Sequence, residues 1–408
     1  MKLRLAGHVI ILLLGALGVR AAANPPTPLV LIAMDGFRWD YCDLHPEETS
    51  HLRRMRSAGV SARGLIPVFP SNTFPNHYSI VTGLYPAHHG IINNRMFDPR
   101  SGEFFVYNTP QSARQSHWWG GEPIWITAVK QGRISACSYW PGSEAEIGGT
   151  RPTYWKPFDY YERTPDERIG TVVAWFKRPH RERPSVVTYY IEEANTIGHD
   201  YGPDSPELVH GLKAIDEHVA KLQSRLAAEG VAANYVLVSD HGMTATSPER
   251  LLILDDYLDL DRVQIDDAGS TISARPTDGD VAGLEAKLRR IPHARVYRAE
   301  NLPADFHLRA HPLIPSVWVV MDEGWRAETR AAAARPRKTG LPLRGDHGYD
   351  PSVAAMRGVF MAWGPSFKRG VVLPEFENIH VYNLLCAALG LKPAANDGDD
   401  RLVRAALR

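Results

Sequence analysis

Short apolar runs that stop abruptly at polar residues constrain this chain more than any other feature. Leu29–Met34 stops at Asp35-Gly36 and Val186–Ile191 at Glu192-Glu193. Tyr235–Val238 stops at Ser239-Asp240-His241-Gly242, and Gly358–Trp363 at Gly364-Pro365. Runs this short, apolar throughout, suit strands covered on both faces of a parallel sheet. Between them lies a helix with start and stop signals. Ser205 can cap it and Pro206 fits its first turn; Leu208, Leu212, Ile215, Val219, Leu222 and Leu226 follow at steps of four and three, and Gly230 ends it. Strands alternating with helices predict an α/β fold, doubly wound, with a mostly parallel central sheet and helices on both faces. Sites in such sheets lie beyond the carboxyl ends of the strands. The polar residues that end each run are therefore candidates for chemistry.

Other stretches read differently. Residues 252–340 are rich in Asp, Arg, Pro and Ala with broken periodicity, which predicts an insertion or small cap subdomain within a catalytic domain spanning 24–408. Residues 96–160 carry Trp118, Trp119, Trp125, Tyr139, Trp140, Tyr154 and Trp155 among many Gly and Pro. They predict long loops lining a cleft, with part of the aromatic set serving as core filler. Residues 1–23 hold Lys2 and Arg4, then apolar Val9–Val19, then Ala21-Ala22-Ala23, the pattern of a secretory signal peptide and hence of a periplasmic or secreted protein. The apolar run of about 11 residues is short for a membrane span; an uncleaved anchor is the other reading.

Lys+Arg and Asp+Glu both number 46, so the formal charge is zero. Polymeric nucleic acid is not implied as a partner, because bulk polyanion binding calls for a basic surface. Affinity for phosphate must be local. Cys42, Cys137 and Cys386 lie far apart in sequence and read as buried small apolar side chains, with one disulfide as the alternative. There is no CxxC pair, so any metal must be held by His and carboxylates.

Those residue types occur at the predicted strand ends. Asp35, Asp240-His241, His199 and His347 each sit in a Gly-flanked turn: MDGFR, SDHGM, IGHDYGP and GDHGYD. Singly, each has an ordinary explanation as a cap, a turn residue or a core histidine. Together they suit hard Lewis-acid chemistry on phosphate. A further element, SNTFPNHYSIVTG, predicts a helix starting at Thr73, with Pro75 in its first turn and Gly83 at its end. A hydroxyl placed there faces unpaired N–H groups and the positive dipole end, a setting that binds anions. A plain N-cap threonine is the local alternative.

Taken in order, MDGFR, SNTFPNHYSIVTGLYPAHHGIINN, SYWPGSEAEI, RPTYWKPFD, YYIEEANTIGHDYGP, SDHGM and GDHGYD resemble the nucleotide pyrophosphatase/phosphodiesterase family of the alkaline phosphatase superfamily. The resemblance covers about residues 28–395. TFPNHYSIVTGLYPAHHGI carries its specificity, whereas SDHGM alone marks only the superfamily. The resemblance implies an exported bacterial hydrolase with two zinc ions, acting on phosphodiester or pyrophosphate bonds of small-molecule nucleotides through a phosphothreonine on Thr73. It places one zinc on Asp35, Thr73, Asp240 and His241, and the other on Asn195, His199 and His347. It gives Asn94 and the backbone N–H of Phe74 to a phosphate oxygen, and Phe74 and Tyr190 to the two faces of a nucleobase.

One position departs from the family pattern, which has Asp where this chain has Asn195. The site is left one charge more positive. Weaker holding of the second zinc is expected, with that position partly empty or assisted by Glu192 or Glu193. Two rival functions share the fold: a choline-type or lysophospholipid phosphodiesterase, because aromatic rings also suit a quaternary ammonium, and a catalytically weakened nucleotide-binding member. Thr-Phe-Pro-Asn at 73–76 argues against a sulfatase, which calls for a Cys or Ser in a C/S-x-P-x-R setting.

Overall fold

The structure is a computed structural model that describes residues 27–158 and 163–408. The leader expected at 1–23 lies outside the described residues. Eight strands form the central sheet: β1 (Leu29–Met34), β2 (Val60–Ala62), β3 (Ser135–Ser138), β4 (Tyr154–Lys156), β5 (Val186–Ile191), β6 (Asn234–Val238), β7 (Phe360–Trp363) and β8 (Val371–Leu373). Their spatial order is β8-β2-β7-β6-β1-β5-β3-β4. β1 runs parallel to β5 and β6, β3 to β4 and β5, and β2 to β8. β7 alone is antiparallel to its neighbours. The sheet is thus mixed but mostly parallel, with a hydrophobic core on each face.

The unbroken apolar runs follow from burial on both faces. Alternate side chains of a strand point to opposite faces. In β1, Leu29, Leu31 and Ala33 enter one hydrophobic core, and Val30, Ile32 and Met34 enter the other. The register levels the strand ends, with Met34 opposite Ile191 and Ala33 opposite Val238. The chain therefore leaves β1, β5 and β6 along one edge, at Asp35, Glu192 and Ser239.

Three helices matter for that edge: α1 (Thr73–Thr82), α2 (Glu193–Tyr201) and α3 (Pro206–Ala228). α3 begins as expected, with the Ser205 hydroxyl accepting the Leu208 N–H at 3.1 Å. A cap of this kind contributes about 1 kcal/mol. Its leucines at 208, 212, 222 and 226, with Ile215 and Val219, are all buried in the second core.

Within 252–340 the chain builds a second, antiparallel sheet. Its strands Val263–Asp267, Thr271–Pro276, Val317–Met321 and Ala294–Arg298 lie side by side in that order, with helix Val281–Leu288 packed on them. Leu284, Leu288, Val296 and Val319 give it a core of its own. Its first hairpin reaches back to the loop that carries His347. The Ser270 hydroxyl donates to the His347 carbonyl at 2.5 Å. Gly348 (φ +96°) allows this approach, since a Cβ there would lie 2.4 Å from Ser270 Oγ and 2.5 Å from Asn72 Oδ1.

The aromatic-rich segment is a correction. Trp118, Trp119, Trp125, Tyr139 and Trp140 are buried, and only Tyr154 and Trp155 of the set are half-buried. Large rings contribute most when removed from water, so most of this set is core rather than cleft lining. Cys42, Cys137 and Cys386 are free and buried. No helix among the described residues is long and apolar enough to cross a membrane.

Candidate active site

Asp35, Thr73, Asp240, His241, His347 and His199 come together at the carboxyl edge of the sheet. Thr73 is the first residue of α1, following Asn72 in extended conformation, and Gly83 ends the helix with φ +68°. Its hydroxyl lies 3.3 Å from His241 Nε2. His241 Nε2 is in turn 3.0 Å from Asp240 Oδ2 and 3.5 Å from Asp35 Oδ1. The His241 and His347 rings stack at 3.6 Å, and the His347 and His199 rings are 5.1 Å apart. Asn195 joins through the backbone: a Cβ on Gly36 would lie 2.9 Å from Asn195 Cα, so the turn after β1 packs directly on α2.

The histidines are oriented alike. Nδ1 faces a carbonyl in each: Gly345 O at 2.8 Å for His199, Gly242 O at 2.8 Å for His241, Ser71 O at 3.1 Å for His347. A carbonyl only accepts, so each Nδ1 carries the proton and each Nε2 is left as the ligating atom. This outer hydrogen bond is how proteins fix the tautomer of a metal-binding imidazole.

Electrostatics point the same way. Asp35 is pushed up to about 7, first by burial and then by Asp240. Asp240 is held well below the usual carboxylate range: burial opposes this, but His241 and His77 outweigh it. His241 rises to about 9; burial opposes that too, and the attraction of Asp240 prevails. His347 falls well below the ordinary imidazole value through burial and the neighbouring His241 and His199. Two crowded carboxylates thus compete for cationic partners that the fold supplies only with imidazoles. Asp35 Oδ1 and Asn195 Oδ1 are buried without hydrogen-bond partners, and Asp240 Oδ2 meets only the ring nitrogens of His241 and His77, at 3.0 and 3.2 Å. Such acceptors crowded among imidazoles fit divalent cations, whose charge inverts the local titration logic. Two groups have ligand atoms within 4.8 Å of one another: Asp35, His77 and Asp240, and His199, Asp346 and His347.

His77 and Asp346 are additions to the expected set. His77 is fully buried, with Nδ1 at 2.9 Å from Thr73 O and 3.2 Å from Asp240 Oδ2. Its position four residues after Thr73 puts both on one helix face, a signal present in TFPNHY. Asp346 precedes His347 in GDHGYD, and no periodicity marks it.

Three expectations change. Tyr190 is 5% exposed and its hydroxyl donates to Asp35 Oδ2, so its ring is enclosed at the end of β5, between His77 at 5.2 Å and Phe158 at 5.8 Å, rather than offered to a base. The exposed aromatic surface comes instead from Tyr107 (46%) and Phe158 (44%), with Tyr107 meeting Phe74 at 5.7 Å. The Phe74 N–H donates to Asn94 Oδ1 at 2.9 Å, so these two groups meet each other, and Asn94 Nδ2 is the donor left over. Glu192 and Glu193 are both engaged by Arg168, the first at 2.7 Å; the carboxylate brought to the histidine pair is that of Asp346.

The family model described as type I phosphodiesterase / nucleotide pyrophosphatase matches residues 29–350. The chain belongs to that family. Within it, a venom phosphodiesterase of Naja atra is 36% identical over 91% of this chain and 45% of its own length. Ectonucleotide pyrophosphatase/phosphodiesterase family member 3 of Bos taurus is 35% identical over 91% of this chain and 43% of its own. The chain thus spans less than half the length of these relatives. Among solved structures, murine ectonucleotide pyrophosphatase/phosphodiesterase 5 superposes with a TM-score of 0.87 at 30% identity, covering 94% of this chain and 100% of that one. The same murine protein has also been solved in an inactive threonine-to-alanine form in complex with AMP.

Proposed function

We propose that this phosphodiesterase-family chain hydrolyses phosphodiester or pyrophosphate bonds of nucleotides, with Thr73 as nucleophile. The observation that carries the reading is the Thr73 hydroxyl, at the N-terminus of α1 and 3.3 Å from His241 Nε2, beside buried acceptors that lack partners. The murine relative's AMP complex supports a nucleotide. Two zinc ions, when bound, would lower the hydroxyl's pKa and polarise the phosphoryl oxygens; Asp35, Thr73, Asp240 and His241 would hold one, and Asn195, His199 and His347 the other.

The protein groups do the rest. Tyr190 fixes Asp35, and His77 fixes Asp240. Thr73 Oγ1, having lost its proton, forms a bond to phosphorus as the bond to the leaving oxygen breaks, giving a phosphothreonine that still carries the nucleoside; the leaving group departs with a proton. Water then cleaves that bond, releasing the monophosphate and restoring the hydroxyl. The N–H groups of the first turn of α1 and Asn94 Nδ2 meet charge on the phosphoryl oxygens. Phe74, Tyr107 and Phe158 offer rings to the base. The charged-then-apolar leader supports export to the periplasm or exterior.

The test compares turnover of nitrophenyl thymidylate, nitrophenyl phosphate and nitrophenyl phosphocholine, with acid-quench trapping of labelled protein. Thymidylate ester should be turned over fastest, and Thr73→Ala should lose at least about 10³-fold in kcat, the scale of deleting a nucleophile. A Thr73→Ala protein retaining a tenth of wild-type turnover removes Thr73 from the reaction. Preference for phosphocholine would move the substrate to a choline-type ester. Tight nucleotide binding without turnover would make the chain a binding protein.

A further inference from the structure

Asp346 lies where the second metal position lacks charge. A carboxylate oxygen of Asp346 and one ring nitrogen each of His199 and His347 lie within 4.8 Å of one another. Asp346 Oδ1 accepts the His347 backbone N–H at 3.0 Å and lies 4.0 Å from His199 Nδ1, the ring nitrogen that faces away from the ligating Nε2. Asp346 Oδ2 accepts from Arg326 Nε at 2.5 Å. Arg326 Nη2 in turn donates to Glu328 Oε1 at 2.5 Å.

Charge bookkeeping gives this arrangement a consequence. Two divalent cations bring four positive charges; Asp35 and Asp240 remove two, a Thr73 alkoxide removes a third, and the amide of Asn195 removes none. One positive charge remains. Arg326 is always charged and is shared by two carboxylates, so Asp346, Glu328 and Arg326 together keep one negative charge. That charge sits against the two histidines. The other acidic pair near α2, Glu192 and Glu193, is drawn to Arg168. Asn195 Oδ1, buried without a partner, remains a neutral donor.

We infer that Asp346 is a positioning residue for the second zinc. It supplies, from behind the His199 ring and through the His347 backbone, the negative charge that Asn195 lacks. The inference rests on the two-metal reading above. A negative charge behind a ligating imidazole attracts the cation in front of it, and losing outer partners of metal ligands costs about 10–100-fold in metal affinity.

The experiment measures zinc content and both zinc dissociation constants of the full chain by competition with a chelator. Zinc is the probe, and thermal melting of zinc-free protein is the check on folding. Asp346→Asn should weaken the weaker site by about 10–100-fold and leave the tighter site within about twofold. Asn195→Asp in the Asp346→Asn background should bring the weaker site back near its wild-type constant. Glu328→Gln frees Arg326 to cancel Asp346, so it should weaken the same site in the same direction without altering Asp346 itself or the two histidines. This variant also decides the matter if Asp346→Asn does not fold. A merely structural role would lower the melting temperature of the zinc-free protein and leave both zinc constants unchanged, and that result overturns the inference. So does failure of Asn195→Asp to restore binding. A wild-type chain with no second zinc site would sink the two-metal reading as well; two wild-type sites indifferent to Asp346 and Glu328 sink this inference alone.

Discussion

The two halves of the site are made of different material. Asp35, Asp240 and His241 directly follow β1 and β6, neighbouring strands at the centre of the sheet, and each is at most 1% exposed. His199 and Asn195 ride on α2, outside the sheet, and are half-buried; His347 sits on a loop beneath the inserted hairpin. In the first half, side chains lock one another: Tyr190 to Asp35, His77 to Asp240, His241 between the carboxylates. In the second, the rings likewise rest on backbone carbonyls but meet no carboxylate at hydrogen-bond distance among the described residues, and the charge arrives indirectly through Asp346. A ligand on a central strand end has few alternatives, because moving it disturbs two cores at once. A ligand on a peripheral helix tolerates exchange, and Asn195, the amide where the resemblance implies Asp, lies there.

The largest expected difference is between one ligand substitution in each half. Asp240→Asn leaves buried His241 and His77 facing a single carboxylate. It should destabilise the zinc-free protein by about 3–5 kcal/mol, as breaking a buried pair does, and cost at least about 10³-fold in kcat. Asn195→Ala removes only a neutral donor. It should leave the zinc-free melting temperature nearly unchanged and weaken the second zinc by no more than about 10–100-fold. Melting curves and zinc competition read both. Equal losses from the two substitutions would erase the contrast.

The same contrast explains what was legible in the sequence. LVLIAM, VVTYYI and YVLV announced doubly covered strands because every position faces a core. Ser205 through Leu226 announced α3 because capping and periodicity agreed. The residues at 35, 73, 199, 240, 241 and 347 were legible because Gly-flanked turns and strand ends mark them locally. What stayed hidden depends on side-chain direction and distant partners. Nothing in YYIEE shows that the Tyr190 hydroxyl turns inward to Asp35 while its ring is enclosed. Nothing near Glu192 shows that Arg168, on another helix, binds it. Asp346 acquires meaning only once Arg326 and Glu328, from the strand after the DEGW turn, are placed beside it.

Tyr190→Phe is the next step down in size, and it separates two roles for one ring. As a hydrogen-bond donor to a buried carboxylate, the hydroxyl contributes about 1.5–3 kcal/mol, so its loss should weaken the first zinc about tenfold or more and leave the second unchanged. As one wall of a base sandwich, Tyr190 would lose nothing on conversion to Phe, since the ring is kept. Unchanged zinc affinity with unchanged turnover would return Tyr190 to the stacking role and weaken the argument that side chains lock the first half.

The smallest expected step, about 1.4 kcal/mol per pH unit, concerns the response to acid. Outside both halves, His218 Nε2 lies 2.7 Å from the Tyr189 hydroxyl, and burial pushes His218 down to about 4. In the unfolded chain it titrates near 6.5. Between those values the unfolded state binds a proton that the folded state refuses, so stability present above about pH 6.5 is lost as pH falls toward 4, by about 1.4 kcal/mol per pH unit. His218→Gln should remove that share and flatten the stability–pH curve by about 1.4 kcal/mol per unit between pH 6 and 4.5. The flattening should be equal with and without zinc, because no cation position touches His218. His199 and His347 are also held neutral, but at ligand positions, so the slope left in His218→Gln should change when zinc is removed. A remaining slope indifferent to zinc would mean that neither half binds metal through its titrating groups, and the contrast between the halves would fail with them.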